Sequence, residues 1–102
     1  MRGFLQAEKQ KRRIRMKNVE FDTIVFQEGK IYVAYTPNLD VSSCGSSVDE
    51  ARRNLKTAVR LFIAEAEKMG TLEDIMSEAG YEKASYGEWM APRLIATEHM
   101  SL

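Results

Sequence analysis

A four-residue run, Ser47-Val48-Asp49-Glu50, constrains this chain more than any other feature. A Ser just ahead of an apolar-periodic stretch, with Glu three residues on, is a capping box. The hydroxyl accepts an orphan N–H of the first helical turn and the carboxylate reaches back. Asp49 and Glu50 also set negative charge against the positive end of the helix dipole. Downstream, Val48, Ala51, Leu55, Ala58, Val59, Phe62, Ala66 and Met69 recur at spacings of three and four, which is one helix face. Leu61, Ile63 and Ala64 widen that face in its second half, as expected where a helix meets neighbours on two sides. Gly70 supplies the left-handed stop. A long helix between Ser47 and Gly70 is thus predicted, and the rest of the chain must cover its stripe.

The segment before the helix is built for strands. Val19 to Glu28 is rich in β-branched and aromatic residues, and Lys30 to Thr36 repeats the pattern. A turn at Glu28-Gly29 pairs Phe26 with Ile31, Ile24 with Val33 and Asp22 with Tyr35 on one face. Val25 with Tyr32, Thr23 with Ala34 and Phe21 with Thr36 then fall on the other, whereas a three-residue loop would swap the two faces. Both faces carry apolar groups, so the second either meets another chain or stays exposed. Pro37 ends the second strand, and Asn38 and Asp40 suit a turn. Val41 to Ser46, short and rich in small residues, reads as a third strand at the sheet edge. After the long helix, Thr71 is expected to cap a short one from Leu72 to Ala79, closed by Gly80. Tyr81 begins a short strand in this reading, Trp89 and Pro92 anchor the return, and Arg93 to Met100 forms a last strand through Leu94 and Ile95. The class is α+β: a small antiparallel sheet packed on one long helix, with a short second helix.

At 102 residues there is room for one domain. Its formal charge of zero is an average over two unlike parts. Residues 1–17 carry seven Lys and Arg against Glu8, and the remainder carries eight against fourteen acids. The organisation expected is a basic, solvated extension over residues 1–18 and an acidic folded body over 19–102. Lys9, Lys11, Arg12, Arg13, Arg15 and Lys17 could contact nucleic-acid phosphates. With Phe4 the sole aromatic there, base stacking is unsupported. Alternatively the extension is an upstream reading of the message, with Met16 as the start. No run of 18 apolar residues and no signal-peptide pattern occur, and the single Cys44 excludes an internal disulfide. A cytoplasmic location is the expectation.

Chemistry-bearing motifs are absent. Cys44 and His99 lack metal-ligand spacing, and Cys44 has no base near it in sequence. No glycine-rich phosphate loop is present. Asp22, Asp40, Asp49 and Glu50 are the only acids placed for two-metal chemistry. Capping accounts for the last two, and Asp22 reads as a rim position beside Tyr35. The expectation is a protein that is not an enzyme and binds no cofactor or metal. Too few residues follow Gly80 for an appended helix-turn-helix.

Residues Phe21 to Ile63 resemble the HicB-like antitoxin family. The match lies in Gly29, in Tyr32-Val33-Ala34-Tyr35-Thr36-Pro37-Asn38-Leu39, in Gly45-Ser46-Ser47-Val48-Asp49-Glu50-Ala51, and in Asn54-Leu55 and Ala58-Val59. Asp40-Val41 departs from the proline-glycine usual after that strand. The resemblance implies a truncated RNase H-like fold and a short, single-domain member. It also implies a role, masking a HicA-like toxin, a small RNA-cleaving protein, by protein–protein contact. Candidate contacts, chosen for exposure and charge, are Asn38, Leu39, Asp40, Ser42, Ser43, Ser46, Asp49 and Glu50. Two alternatives stand beside this: a nucleic-acid-binding regulator that uses the basic arm, and an orphan HicB-like protein without a toxin. A homo-oligomer, dimer or tetramer, is expected from the apolar groups on both sheet faces.

Overall fold

A computed structural model describes residues 18–84 and 87–102. The basic residues Lys9, Lys11, Arg12, Arg13, Arg15 and Lys17 lie outside the described residues. Strands β1 (Ile24–Glu28), β2 (Ile31–Thr36) and β3 (Val41–Gly45) form one antiparallel sheet in the order β1-β2-β3. Helix α1 (Val48–Met69) follows, then α2 (Leu72–Glu78). A minimal antiparallel pair, β4 (Glu82–Lys83) and β5 (Trp89–Met90), closes the body. The α+β class is as expected: a three-stranded sheet on a long helix with a short second helix.

The helix forms where the capping box places it. Ser47 sits in extended backbone and its hydroxyl accepts the Glu50 N–H at 3.0 Å. The reciprocal arm is displaced by one residue. Glu50 reaches Ser46, accepting its N–H at 2.5 Å and its hydroxyl at 2.7 Å. At the far end Gly70 turns left-handed (φ 75°), with its N–H on the Glu67 carbonyl and the Thr71 N–H on the Ala66 carbonyl. That is a Schellman closure. Gly80 repeats it after α2: Tyr81 N–H reaches Met76 and Gly80 N–H reaches Ser77.

Four sequence-based expectations need correction. The hairpin closes at Gly29-Lys30, so Glu28 faces Ile31 and Phe26 faces Val33. This is two residues from the expected register. The reason is that Gly29 takes its positive φ (66°) at the first loop position instead of the second. A shift of two preserves the faces, so the two side-chain sets are those expected. Second, Val19 is not in the first strand. It makes an isolated parallel bridge to Trp89. Third, Thr71 makes no side-chain cap, and its hydroxyl donates back to the Ala66 carbonyl at 3.4 Å. Fourth, Arg93 to Met100 is not a strand, having no partner ladder among the described residues.

The core lies between the helix and one sheet face. Ala34 of β2 and Ala51 of α1 are wholly buried, and their small side chains let the helix approach the sheet closely. Leu55, Val59 and Ile63 continue the helix stripe, while Leu39, Met76, Tyr81 and Trp89 close its ends. Gly45 belongs to this approach. A Cβ there would lie 2.7 Å from the Ala51 nitrogen and 2.9 Å from the Glu50 Cβ. Buried Thr36 is the one polar side chain in the described core, and its hydroxyl donates to the Asn38 Oδ1 at 3.3 Å.

Candidate protein-binding face

The sheet has a second face, and nothing described covers it. By the observed register this face carries Ile24, Phe26 and Glu28 from β1, Ile31, Val33 and Tyr35 from β2, and Ser42 and Cys44 from β3. Phe26 is 52% and Ile31 44% exposed. Apolar side chains therefore sit side by side over three strands, with polar groups at the borders. Contiguous exposed apolar surface of this kind marks binding surfaces on small soluble domains.

The border toward the β2–β3 turn is the best defined. Asp40 adopts positive φ (58°), which an Asp tolerates better than most residues. Its backbone N–H donates to the Thr36 carbonyl at 2.9 Å. Its carboxylate accepts the Tyr35 hydroxyl at 3.0 Å. That hydrogen bond to Asp40, with some desolvation and the nearby negative charge, raises the Tyr35 pKa. The phenol is thus held neutral at the surface, pinned beside an anion.

The expected contact residues divide by where the backbone turns them. Asp40 and Ser42 are exposed and border the apolar face. Asn38 turns inward, where its Oδ1 accepts the Asp22 N–H at 2.7 Å as well as the Thr36 hydroxyl. Leu39 is buried in the core. Ser43 lies on the helix side of β3, opposite Ala34. Ser46, Asp49 and Glu50 gather at the helix start. Glu50 is committed to Ser46, whose hydroxyl and N–H lower the Glu50 pKa. Asp49 is exposed and pairs with Arg52 at 2.9 Å.

The apolar centre of the face, Ile24, Phe26, Ile31, Val33 and Cys44, was absent from the contact residues chosen on sequence. The signal for it lay in the two-residue alternation of both strands, which shows an apolar residue on each side. Charge and loop position drew the choice elsewhere. Among the described residues no group of three or more His, Cys, Asp or Glu side chains is placed to hold a metal ion. No described helix is long and apolar enough to cross a membrane. No family model, curated protein or solved structure matches the chain.

Proposed function

We propose that this chain is a non-enzymatic binding protein of the HicB antitoxin kind, which masks a small, basic, RNA-cleaving toxin of the HicA kind. The observation that carries the reading is the uncovered sheet face, with Phe26 and Ile31 exposed toward its hairpin end and Asp40 and Ser42 on the border at the other end. An apolar centre within a polar rim is the anatomy of a protein interface. Masking needs no catalytic group. It needs a surface that occupies the toxin where RNA would lie. Residues 18–102 carry fourteen acids against eight basic side chains, and that field speeds encounter with a basic partner. A partner that cleaves cellular RNA places the protein in the cytoplasm.

The test is direct. The gene adjoining this one is inspected for a small basic protein, the pair is co-purified, and RNA cleavage by the partner is measured with increasing amounts of this chain. Cleavage is expected to stop at equimolar addition. Phe26→Asp, which puts a charge among the exposed apolar side chains of the face, is expected to weaken the complex by at least about tenfold, since buried aromatic anchors dominate such interfaces. Glu65→Gln, on an exposed helix position, should leave it unchanged. Undiminished cleavage at molar excess sinks the masking role. Inhibition that is indifferent to Phe26→Asp moves the contact off this face.

A further inference from the structure

The chain contains a strand-like segment without a sheet and a sheet edge without a strand. The segment is residues 93–102, every one of them exposed and none in regular structure. It displays Leu94 at 57% and Ile95 at 82% exposure, with Met100 and Leu102 also uncovered. The edge is β1. Its two-residue loop makes Glu28 and Ile31 a hydrogen-bonded pair, and the alternation continues through Phe26–Val33 and Ile24–Tyr35. Val25 and Gln27 therefore point their N–H and C=O groups away from β2. Among the described residues β1 pairs with β2 alone.

The chain leading into the edge and the chain leading into the segment meet before either begins, and their ladder ends for visible reasons. The chain before β1 starts a parallel ladder with the chain around Trp89. Trp89 N–H donates to the Asn18 carbonyl at 3.0 Å, and Glu20 N–H to the Trp89 carbonyl at 3.3 Å. The next rung would join Ala91 N–H to the Glu20 carbonyl. That carbonyl is taken by the Tyr81 hydroxyl, and Ala91 N–H is diverted to the Glu20 carboxylate at 3.4 Å. The rung after it would use the Asp22 N–H, which Asn38 already holds at 2.7 Å. On the other side of this chain, where β5 pairs with β4, Pro92 has no N–H to give. It sits so close to Gly80 that a Cβ on that glycine would lie 3.1 Å from the proline Cγ. The ladder ends there, and residues 93–102 run on without a pairing partner among the described residues.

We propose that residues 93–102 add as a strand to the free β1 edge of a second copy, and that the exchange is reciprocal. Each copy supplies one arm and one edge, so two copies related by a twofold axis satisfy both. Strand addition of this kind gains main-chain hydrogen bonds along the edge and buries alternate side chains. Either alternation sets Leu94 or Ile95 on the side of Ile24 and Phe26, extending the apolar face. The opposite edge is partly taken up by the protein's own side chains. The outward Cys44 carbonyl of β3 already accepts the Asn54 side chain at 2.8 Å.

The full chain is tested by light scattering after size exclusion, from about 5 to 200 µM, because an exchanged dimer is concentration-dependent. A dimer is expected. Leu94→Glu with Ile95→Glu should weaken it by roughly tenfold or more, equal to about 1.4 kcal/mol. Both residues are exposed, so Trp89 fluorescence should confirm an intact body. Gln27→Pro, which deletes one outward N–H of an edge strand, should weaken the dimer as well. The decisive measurement combines the two variants in one chain. Arm and edge form a single contact in this proposal, so the double variant should be weakened by less than the sum of the two single effects. A full chain that stays monomeric at the highest concentration overturns the proposal. So does a dimer that neither variant weakens, or a double variant whose loss is the full sum of the single losses.

Discussion

The two edges of the sheet, β3 and β1, present the same kind of outward backbone groups, yet only β3 has side chains aimed at them. Beside β3, Asn54 from the second turn of α1 donates to the Cys44 carbonyl, and Glu50 gathers the Ser46 N–H and hydroxyl. Gly45 lets the helix come close enough for this. Beside β1 no helix stands. The short ladder between the chain ahead of β1 and Trp89 is ended by Tyr81 and Asn38, each taking a backbone group that the next rung needs. Closing an edge therefore takes more than a neighbouring element. It takes polar side chains at the spacing of the outward carbonyls and N–H groups. An edge left open in this way invites another strand.

The largest effect expected from breaking this comparison is at the closed edge. Gly45→Ala puts a methyl group 2.7 Å from the Ala51 nitrogen and 2.9 Å from the Glu50 side chain. One neighbour is backbone within the capped first turn, so relief requires moving helix against sheet. Overpacking of this kind costs about 2–3 kcal/mol. Urea unfolding monitored by Trp89 fluorescence should show the midpoint fall with the slope unchanged. A midpoint equal to wild type would mean that the close approach of α1 to β3 is not a constraint.

The open edge is probed by Tyr81→Phe, with a smaller effect. The phenol is buried and donates to the Glu20 carbonyl, and burial first, then the charges of Asp22 and Glu20, push its pKa up to about 12. Removing the hydroxyl leaves that carbonyl to seek another donor and should cost about 1–2 kcal/mol near neutral pH. The pH dependence carries a definite sign. A tyrosine whose pKa is raised on folding contributes stability that is complete below its ordinary value of 10.0 and is lost as pH climbs through about 12. Wild type should therefore lose its advantage over the Phe variant across that interval. A gap between the two that stays constant through the alkaline range would remove Tyr81 from the group that ends the ladder.

How much of this was legible in the sequence differs between the edges for the same physical reasons. The helix beside β3 was read correctly because a cap and a 3.6-residue period are local patterns. Its closure of the edge was not, because Asn54 meets Cys44 across ten residues of chain and no local rule links them. The hairpin was read two residues out of register, since Glu28-Gly29-Lys30 allows the glycine either loop position. The pairing of faces survived because side chains alternate with period two. Arg93 to Met100 offers Leu94 and Ile95 to a strand, but a strand exists only against a partner, and the short ladder that precedes this segment ends at Glu20 and Asp22, whose backbone groups Tyr81 and Asn38 take. Asn38 and Leu39 looked like contact residues from their place in a turn. The turn instead folds both inward, one to hold Asp22 and Thr36 and the other into the core. The apolar face was visible as a surplus, without a residue-level reason to prefer it over the charged loop.

The smallest effect, and the one that isolates charge at the closed edge, is Glu50→Gln. The amide keeps an oxygen for the Ser46 N–H and hydroxyl but gives up the negative charge, so packing is conserved and only the charge-assisted part is removed. In wild type, the hydrogen bonds from Ser46 hold the Glu50 carboxyl below its ordinary value of 4.5, with Arg53 adding to the effect. A carboxylate lowered on folding contributes stability that is present above its ordinary pKa and disappears as pH falls through the lower folded value. Near neutral pH the Gln variant should thus be slightly less stable than wild type. As the solution is acidified below that ordinary value, the wild type should descend toward the variant until their urea midpoints meet. The group is solvent-accessible, so added salt should narrow the neutral-pH gap. Curves that stay parallel down to acid pH would show that the Ser46 contacts at this edge do not depend on the charge of Glu50, and that hydrogen-bond geometry alone closes it.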